Sequence, residues 1–231
     1  MQEESLILQD VPITAILLFW NLFVIFFISK WTYSFALKKG RTAHSACYFG
    51  RKVIHFLSGG LTALLLPFYF HEPYLPTILA LGLALLTYST HKLNKLLYWF
   101  QDPENYYEVN FCIIWAAIVF LTWFIDSSFW IGVIPLLFMA WGDGITGVVR
   151  NLKYGRRIKA WEGTYAMIAL DLVIGTKLGI AGIIAAIITA FVERIEFLDD
   201  NITVPLTALA ILLIAKFYFP WLLAPLPNIF G

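Results

Sequence analysis

Long apolar runs recur along the whole chain and constrain its fold more than any other feature. A helix needs about 20 apolar residues to cross the hydrocarbon core of a bilayer. Eight runs approach that length, at residues 11–29, 53–70, 74–90, 109–125, 129–149, 163–174, 178–192 and 203–219. Only 13% of the 231 residues are charged, about half the share of an average soluble domain. The runs therefore predict a polytopic membrane protein.

The same runs predict an all-α fold. Lipid offers no water to unpaired backbone groups, so only helices and closed barrels span a membrane. The runs are too long for barrel strands, which need about ten residues each. We therefore expect a single transmembrane domain over residues 1–231, built from about eight transmembrane helices.

The positions of lysine and arginine predict the orientation. Fourteen of the sixteen lie in alternate connections between the predicted spans, and cytoplasmic connections of membrane proteins carry the excess of these residues. Both termini are then expected outside and the four charged connections in the cytoplasm. The membrane would be the cell membrane in a prokaryote or the endoplasmic reticulum in a eukaryote. The cations form no continuous basic face, so nucleic acid is not an expected partner.

This orientation collects charged residues of both signs on the cytoplasmic side. Asp143 lies near the end of the fifth run, between two glycines that would let a ligand approach the backbone. An ionisable residue in an apolar span is a functional-site hypothesis by default. Cations follow at Arg150, Lys153, Arg156, Arg157 and Lys159, and a second polar group contains Glu193, Glu196, Asp199, Asp200 and Asn201. Such a combination suits a magnesium–nucleotide complex, in which cations bind phosphates and carboxylates bind Mg²⁺.

Structural explanations compete with that hypothesis. A basic loop at a membrane boundary commonly sets topology or binds lipid head groups, and an acidic run is commonly a solvated loop. Asp143 would then be a helix-end carboxylate paired with an arginine, and His55 an interface residue at the start of the second span.

Two further features have mainly structural interpretations. Asp171, in the middle of the sixth run, is expected either to be buried and protonated or to pair with Lys177. The spacing of Gly175 and Gly179 predicts a close helix contact, because small residues four apart let helix backbones approach.

Short motifs in a particular order add a family resemblance. The chain contains RKVIH at 51–55, GD at 142–143, KAWEGT at 159–164, VE at 192–193 and DNITVP at 200–205. This order resembles the polyprenol kinase family, which includes dolichol kinase and phytol kinase, integral membrane enzymes that typically use CTP. The resemblance covers the second to the eighth run and is most specific over 141–205. The chain departs from the family pattern at Thr146, Arg150, Gly155 and Ala160.

The resemblance implies transfer of the γ-phosphoryl group of CTP to the hydroxyl of a long isoprenoid alcohol at the cytoplasmic face. The active-site segments would be 141–164 and 192–205. Asp143 and Asp200 are expected to hold Mg²⁺, Glu193 to accept the hydroxyl proton, and His55 to belong to the catalytic set. The expected nucleotide-binding residues are Gly144, Arg156, Arg157, Lys159, Glu162, Gly163, Thr164 and Asn201.

Other classes of function stay open. A CDP-lipid synthase also uses CTP and magnesium at a membrane face, but it releases pyrophosphate. A small transporter would place polar groups near the middle of the bilayer, and a membrane scaffold needs no clustered carboxylates. A CDP-alcohol phosphotransferase is excluded, because the later aspartates of its motif would fall at Trp161 and Tyr165.

Overall fold

Every regular element in the described part of the chain is helical, which confirms the all-α prediction. The computed structural model describes residues 2–155, 158–195 and 199–224. The α-helices are α1 (Gln2–Phe23), α2 (Ser29–Lys38), α3 (Ala43–Ile54), α4 (Leu61–Tyr69), α5 (Tyr74–Lys92), α6 (Tyr107–Trp123), α7 (Trp130–Leu137), α8 (Asp143–Tyr154), α9 (Trp161–Gly175), α10 (Gly179–Val192) and α11 (Asp200–Tyr218).

Three π-helical turns join some of these helices into longer ones. Val24–Ile28 connects α1 to α2, His55–Gly60 connects α3 to α4, and Phe138–Gly142 connects α7 to α8. A π-helical turn inside an α-helix frequently marks a functional site. Here the second turn begins at His55, and the third ends immediately before Asp143.

Within the residues that the structure describes, five helical stretches are long and apolar enough to cross a membrane. They are Leu6–Lys38, Ala43–Tyr69, Trp130–Tyr154, Trp161–Val192 and Asp200–Tyr218, and α6 is a shorter apolar helix. Their lengths and compositions are compatible with a multi-pass membrane protein. The predicted count of eight spans stays a prediction.

The helix Trp130–Tyr154 lies at the centre of the bundle. Its most apolar stretch is 83% buried, whereas that of Leu6–Lys38 is only 22% buried. Helix α7 packs against α4, α6 and α11, and its residues Leu136 and Leu137 belong to the main apolar core. The fold therefore places Asp143 in the interior, near the middle of this most buried helical stretch.

The helices α9 and α10 form a tight hairpin. Gly179 begins α10 with a φ of 59°, a conformation that glycine adopts at low cost. The backbones of Gly175 and Gly182 are in direct contact: a Cβ added at Gly182 would lie 2.0 Å from the carbonyl oxygen of Gly175. Both glycines of the predicted pair permit close contacts, but not on one helix face. Gly175 packs against Gly182, whereas Gly179 forms the turn and lies against the backbone, where an added Cβ would be 2.2 Å from the carbonyl oxygen of Ala224.

This hairpin contact predicts a stability difference between two glycine substitutions. Gly182→Ala should destabilise the fold by about 1–3 kcal/mol, the usual cost of overpacking a tight contact. Gly82→Ala is the matched control, since nothing lies within 4 Å of its added Cβ, and alanine is the better helix former by about 0.5–1 kcal/mol. Thermal unfolding of the two variants in detergent measures the difference. Equal midpoints would contradict the close packing.

Candidate functional site

Three acidic side chains from distant parts of the chain meet in the interior. Asp143 is the first residue of α8, Glu193 follows α10, and Asp200 is the first residue of α11. Each contributes a carboxylate oxygen, and these oxygens lie within 4.8 Å of one another. The residues are only 3%, 1% and 8% exposed. The structure therefore brings together the two acidic segments that the sequence singled out.

Two lysines neutralise part of this acidic group. Lys159 Nζ lies 2.5 Å from Oε1 of Glu193 and 2.8 Å from Oδ2 of Asp200, and it also donates to the backbone oxygen of Glu193. Lys52 Nζ donates to Asp143 Oδ2 at 2.6 Å. Buried charges need such partners, because desolvation of an isolated charge costs several kcal/mol.

Arg150 is the third cation beside the acidic group, and its hydrogen bonds connect three segments of the chain. Its guanidinium donates to both carboxylate oxygens of Glu193, at 2.7 and 2.9 Å. It also donates to Thr164 Oγ1 at 3.1 Å and to the carbonyl oxygen of Ala160 at 3.0 Å. A Cβ at Gly163 would lie 2.3 Å from Arg150 Nε, so the arginine fits only because this residue is glycine. Gly163 and Thr164 thus hold Arg150 in place.

The π-helical turns His55–Gly60 and Phe138–Gly142 pack against each other beside the acidic group. Trp141 Nε1 donates to the carbonyl oxygen of Phe56 at 3.0 Å, and a Cβ at Gly144 would lie 2.5 Å from the Phe56 ring. Gly144 therefore permits close packing of these turns. The packing brings His55 Nδ1 to 3.8 Å from Asp143 Oδ2.

A polar cavity opens on this group of charges. It contains about 310 Å³ of empty space, part of it open to solvent. Its lining comprises Tyr48, Arg51, Lys52, His55, Tyr107, Asp143, Asp199, Asp200 and Asn201. The side chain of Asn201 donates to the carbonyl oxygen of Tyr107 at 3.1 Å. The predicted site residues His55, Asp143, Asp200 and Asn201 therefore share one cavity.

A larger apolar cavity adjoins the polar one and contains about 660 Å³ of empty space, part of it open to the surroundings. It lies among α1, α3, α5, α6 and the turn His55–Gly60, and it includes Ile25, Leu79, Leu83 and Trp115. Arg51 and His55 line both cavities. These two side chains thus stand where a water-accessible charged space meets an apolar one.

One of the predicted nucleotide-binding residues, Glu162, does not belong to this arrangement. Glu162 lies at the surface, where it pairs with Lys153 and accepts a bond from Tyr154 Oη at 2.9 Å. Arg156 and Arg157 lie outside the described residues, as does Glu196.

Of the two predicted explanations for Asp171, the structure does not support the pair with Lys177. Lys177 does not pair with it, since that ammonium lies 4.4 Å from the ring centre of Trp130. Asp171 is completely buried, and its carboxylate lies against Gly142. Neither carboxylate oxygen has a hydrogen-bond partner among the residues that the structure describes.

Lys52 and Arg150 were not among the predicted site residues. Both had a signal in the sequence: Lys52 precedes His55 by three residues, and Arg150 follows Asp143 by seven. These spacings place each pair on one face of a helix. The carboxylate partners of both cations were needed to recognise their role.

Comparison with protein-family models, curated protein sequences and solved structures found no match for this chain.

Proposed function

We propose that the protein is a membrane lipid kinase that transfers the γ-phosphoryl group of CTP to the hydroxyl of a long isoprenoid alcohol. The observation that carries the proposal is the border between the two cavities. A buried group of carboxylates and cations lies on one side, an apolar space lies on the other, and Arg51 and His55 line both. The motif resemblance supports the choice of donor and acceptor.

The charged side suits a magnesium–nucleotide complex. The carboxylate oxygens of Asp143, Glu193 and Asp200 are close enough to share one ion, and Mg²⁺ prefers such hard oxygen donors. We assign Asp143 and Asp200 as the residues that would hold it. When bound, Mg²⁺ neutralises phosphate charge during phosphoryl transfer. The ammonium groups of Lys52 and Lys159, now paired with the same carboxylates, are positioned to contact phosphate oxygens.

The apolar side suits the hydrocarbon chain of the acceptor, whose hydroxyl would lie at the border. A general base must come within hydrogen-bond reach of the proton it accepts. We assign this role to His55, because its Nδ1 is buried without a hydrogen-bond partner in the described part of the chain. Glu193 was predicted for this role, but Arg150 and Lys159 already bind its two oxygens. We therefore assign Glu193 to the positioning of these cations.

The proposal includes the topology inferred from the sequence. The chain would cross the membrane eight times, with the charged site open to the cytoplasm. This arrangement lets a soluble nucleotide and a membrane-embedded alcohol reach the border from opposite sides.

Transfer of the γ-phosphate of radiolabelled CTP to an isoprenoid alcohol tests the proposal directly. We expect the purified protein with Mg²⁺ to move the label into the organic phase. Lys159→Met should lower the rate by about 10²–10³-fold, the usual effect of losing one charge-stabilising group. The matched control is Lys153→Met, which removes an exposed cation six residues earlier and should retain the activity.

The fate of the label separates the other candidate functions. Appearance of the γ-label in pyrophosphate, together with a CDP-lipid, would replace the kinase by a CDP-lipid synthase. No transfer with any alcohol, and no nucleotide-dependent rise in thermal stability, would favour a transporter or a scaffold.

A further inference from the structure

Glu108, near the start of α6, places a carboxylate in the wall of the apolar cavity. The residue is 7% exposed. Its Oε2 atom is buried and has no hydrogen-bond partner among the described residues. A buried acceptor without a partner is costly, so a partner supplied from the cavity would remove a substantial penalty.

The other carboxylate oxygen of Glu108 is held by a polar network. Gln101 Nε2 donates to Oε1 at 2.8 Å, and His91 Nε2 lies 2.6 Å from the same atom. Gln101 is itself bound through Thr90 Oγ1 and the backbone of Leu97. This network immobilises the carboxylate, so the unpartnered oxygen is a preorganised acceptor.

The position of Glu108 connects it to the border between the cavities. Tyr107, the preceding residue, lines the polar cavity, whereas Glu108 lines the apolar one. Arg51 and His55 line both. Along α5 the apolar cavity extends from Pro76 to Thr87, about 16 Å at 1.5 Å per helical residue. The shape suits a single extended hydrocarbon chain with its head group near α6.

We propose that Glu108 anchors the head group of the lipid in the apolar cavity by accepting a hydrogen bond from its hydroxyl. The cavity wall contains both an acceptor, Glu108, and a cation, Arg51. A fatty acid would bring its carboxylate against Glu108, and an alkylammonium would bring its charge against Arg51. A neutral hydroxyl donates to the first and accepts from the second while the alcohol is held. Because it has only one proton, the hydroxyl must turn from Glu108 to His55 before that proton can be accepted in phosphoryl transfer. The inference rests on the proposed kinase function and names the residue that selects its acceptor.

Glu108→Gln offers a sharp test, because it keeps the shape of the side chain and changes the atom that has no hydrogen-bond partner among the described residues. The amide oxygen can replace Oε1 and still accept from Gln101. The amide nitrogen then replaces Oε2, so a hydrogen-bond donor stands where an acceptor was. Glu104→Gln is the matched control, since it makes the same substitution on the exposed loop four residues earlier.

Binding is measured by the dose-dependent rise of the thermal unfolding midpoint of the full-length protein in detergent. The probes are geranylgeraniol and its methyl ether, which lacks the O–H donor. The wild type and Glu104→Gln should bind the alcohol at least about tenfold more tightly than the ether. Glu108→Gln should bind both alike.

The outcomes separate this inference from the proposed function. Equal stabilisation by alcohol and ether in the wild type, or no stabilisation by either, would overturn the role of Glu108. A preference for the alcohol that survives Glu108→Gln would also overturn it and would place the hydroxyl elsewhere, for example at Asn21. The preference for the alcohol could depend on Glu108 while no nucleotide supports phosphoryl transfer. That result would retain the role of Glu108 and reject the proposed kinase function.

Discussion

Asp143→Asn should lower phosphoryl transfer to an isoprenoid alcohol by at least about 10²–10³-fold. This carboxylate lies at the centre of the charged group, 2.6 Å from Lys52 Nζ and within 4.8 Å of the oxygens of Glu193 and Asp200. Removing its charge would weaken the proposed Mg²⁺ site and withdraw charge stabilisation from the transferred group, an effect of that size in other enzymes. Initial rates with radiolabelled CTP measure it.

A structural effect of Asp143→Asn can be separated from a chemical one. The substitution leaves Lys52 buried without its carboxylate, which is strongly destabilising in other proteins. The double variant Asp143→Asn, Lys52→Met removes that charge and should recover stability without recovering activity. Asp171→Asn is the matched control, because it changes another fully buried aspartate outside the group of three. Full activity in Asp143→Asn would discard the metal site.

Arg150→Met should be the most destabilising single substitution at this site, by about 3–5 kcal/mol. Breaking a buried ion pair leaves the partner charge uncompensated, and the side chains of Arg150 and Glu193 are only 3% and 1% exposed. The arginine also connects α8 to α9 through Thr164 and Ala160. Thermal unfolding in detergent measures the loss, which needs neither nucleotide nor lipid.

The chain contains a matched control for this prediction. Lys153 and Glu162 also connect α8 to α9, but their side chains are 55% and 38% exposed. Solvent screening reduces the value of such pairs to about 0–1 kcal/mol, so Lys153→Met should barely change the unfolding midpoint. Similar losses in both variants would show that burial does not control the strength of these pairs. Arg150→Met combined with Glu193→Leu should recover part of the stability.

Much of the candidate site was predictable because charged residues are scarce in an apolar chain. Asp143, Glu193 and Asp200 stood out in or beside apolar runs, and Lys159 belonged to a motif. The cations that complete the group were harder to recognise, because Lys52 and Arg150 look like ordinary membrane-boundary residues. Only the positions of their carboxylate partners, on other helices, distinguish them.

The predictions that the structure corrects were all drawn from local spacing in the sequence. The spacing of Gly175 and Gly179 correctly indicated a close helix contact, but the turn at Gly179 moved the contact to Gly182. Lys177 was close enough in sequence to pair with Asp171, yet the turn after α9 directs it to Trp130. Glu162 belongs to the motif that contains Lys159, but it lies on the exposed side of α9.

The sequence by itself determined that this chain forms apolar helices, because a backbone in long apolar segments has no water to bind and must satisfy its own hydrogen bonds. It also identified the carboxylates whose burial is costly enough to require a cation or a hydrogen-bond donor beside them. The tertiary structure alone decided which cation neutralises each carboxylate and where the charged cavity adjoins the apolar one. Those relations depend on contacts between α3, α6, α8 and α11, and distances between helices far apart in the chain are not encoded in any local spacing.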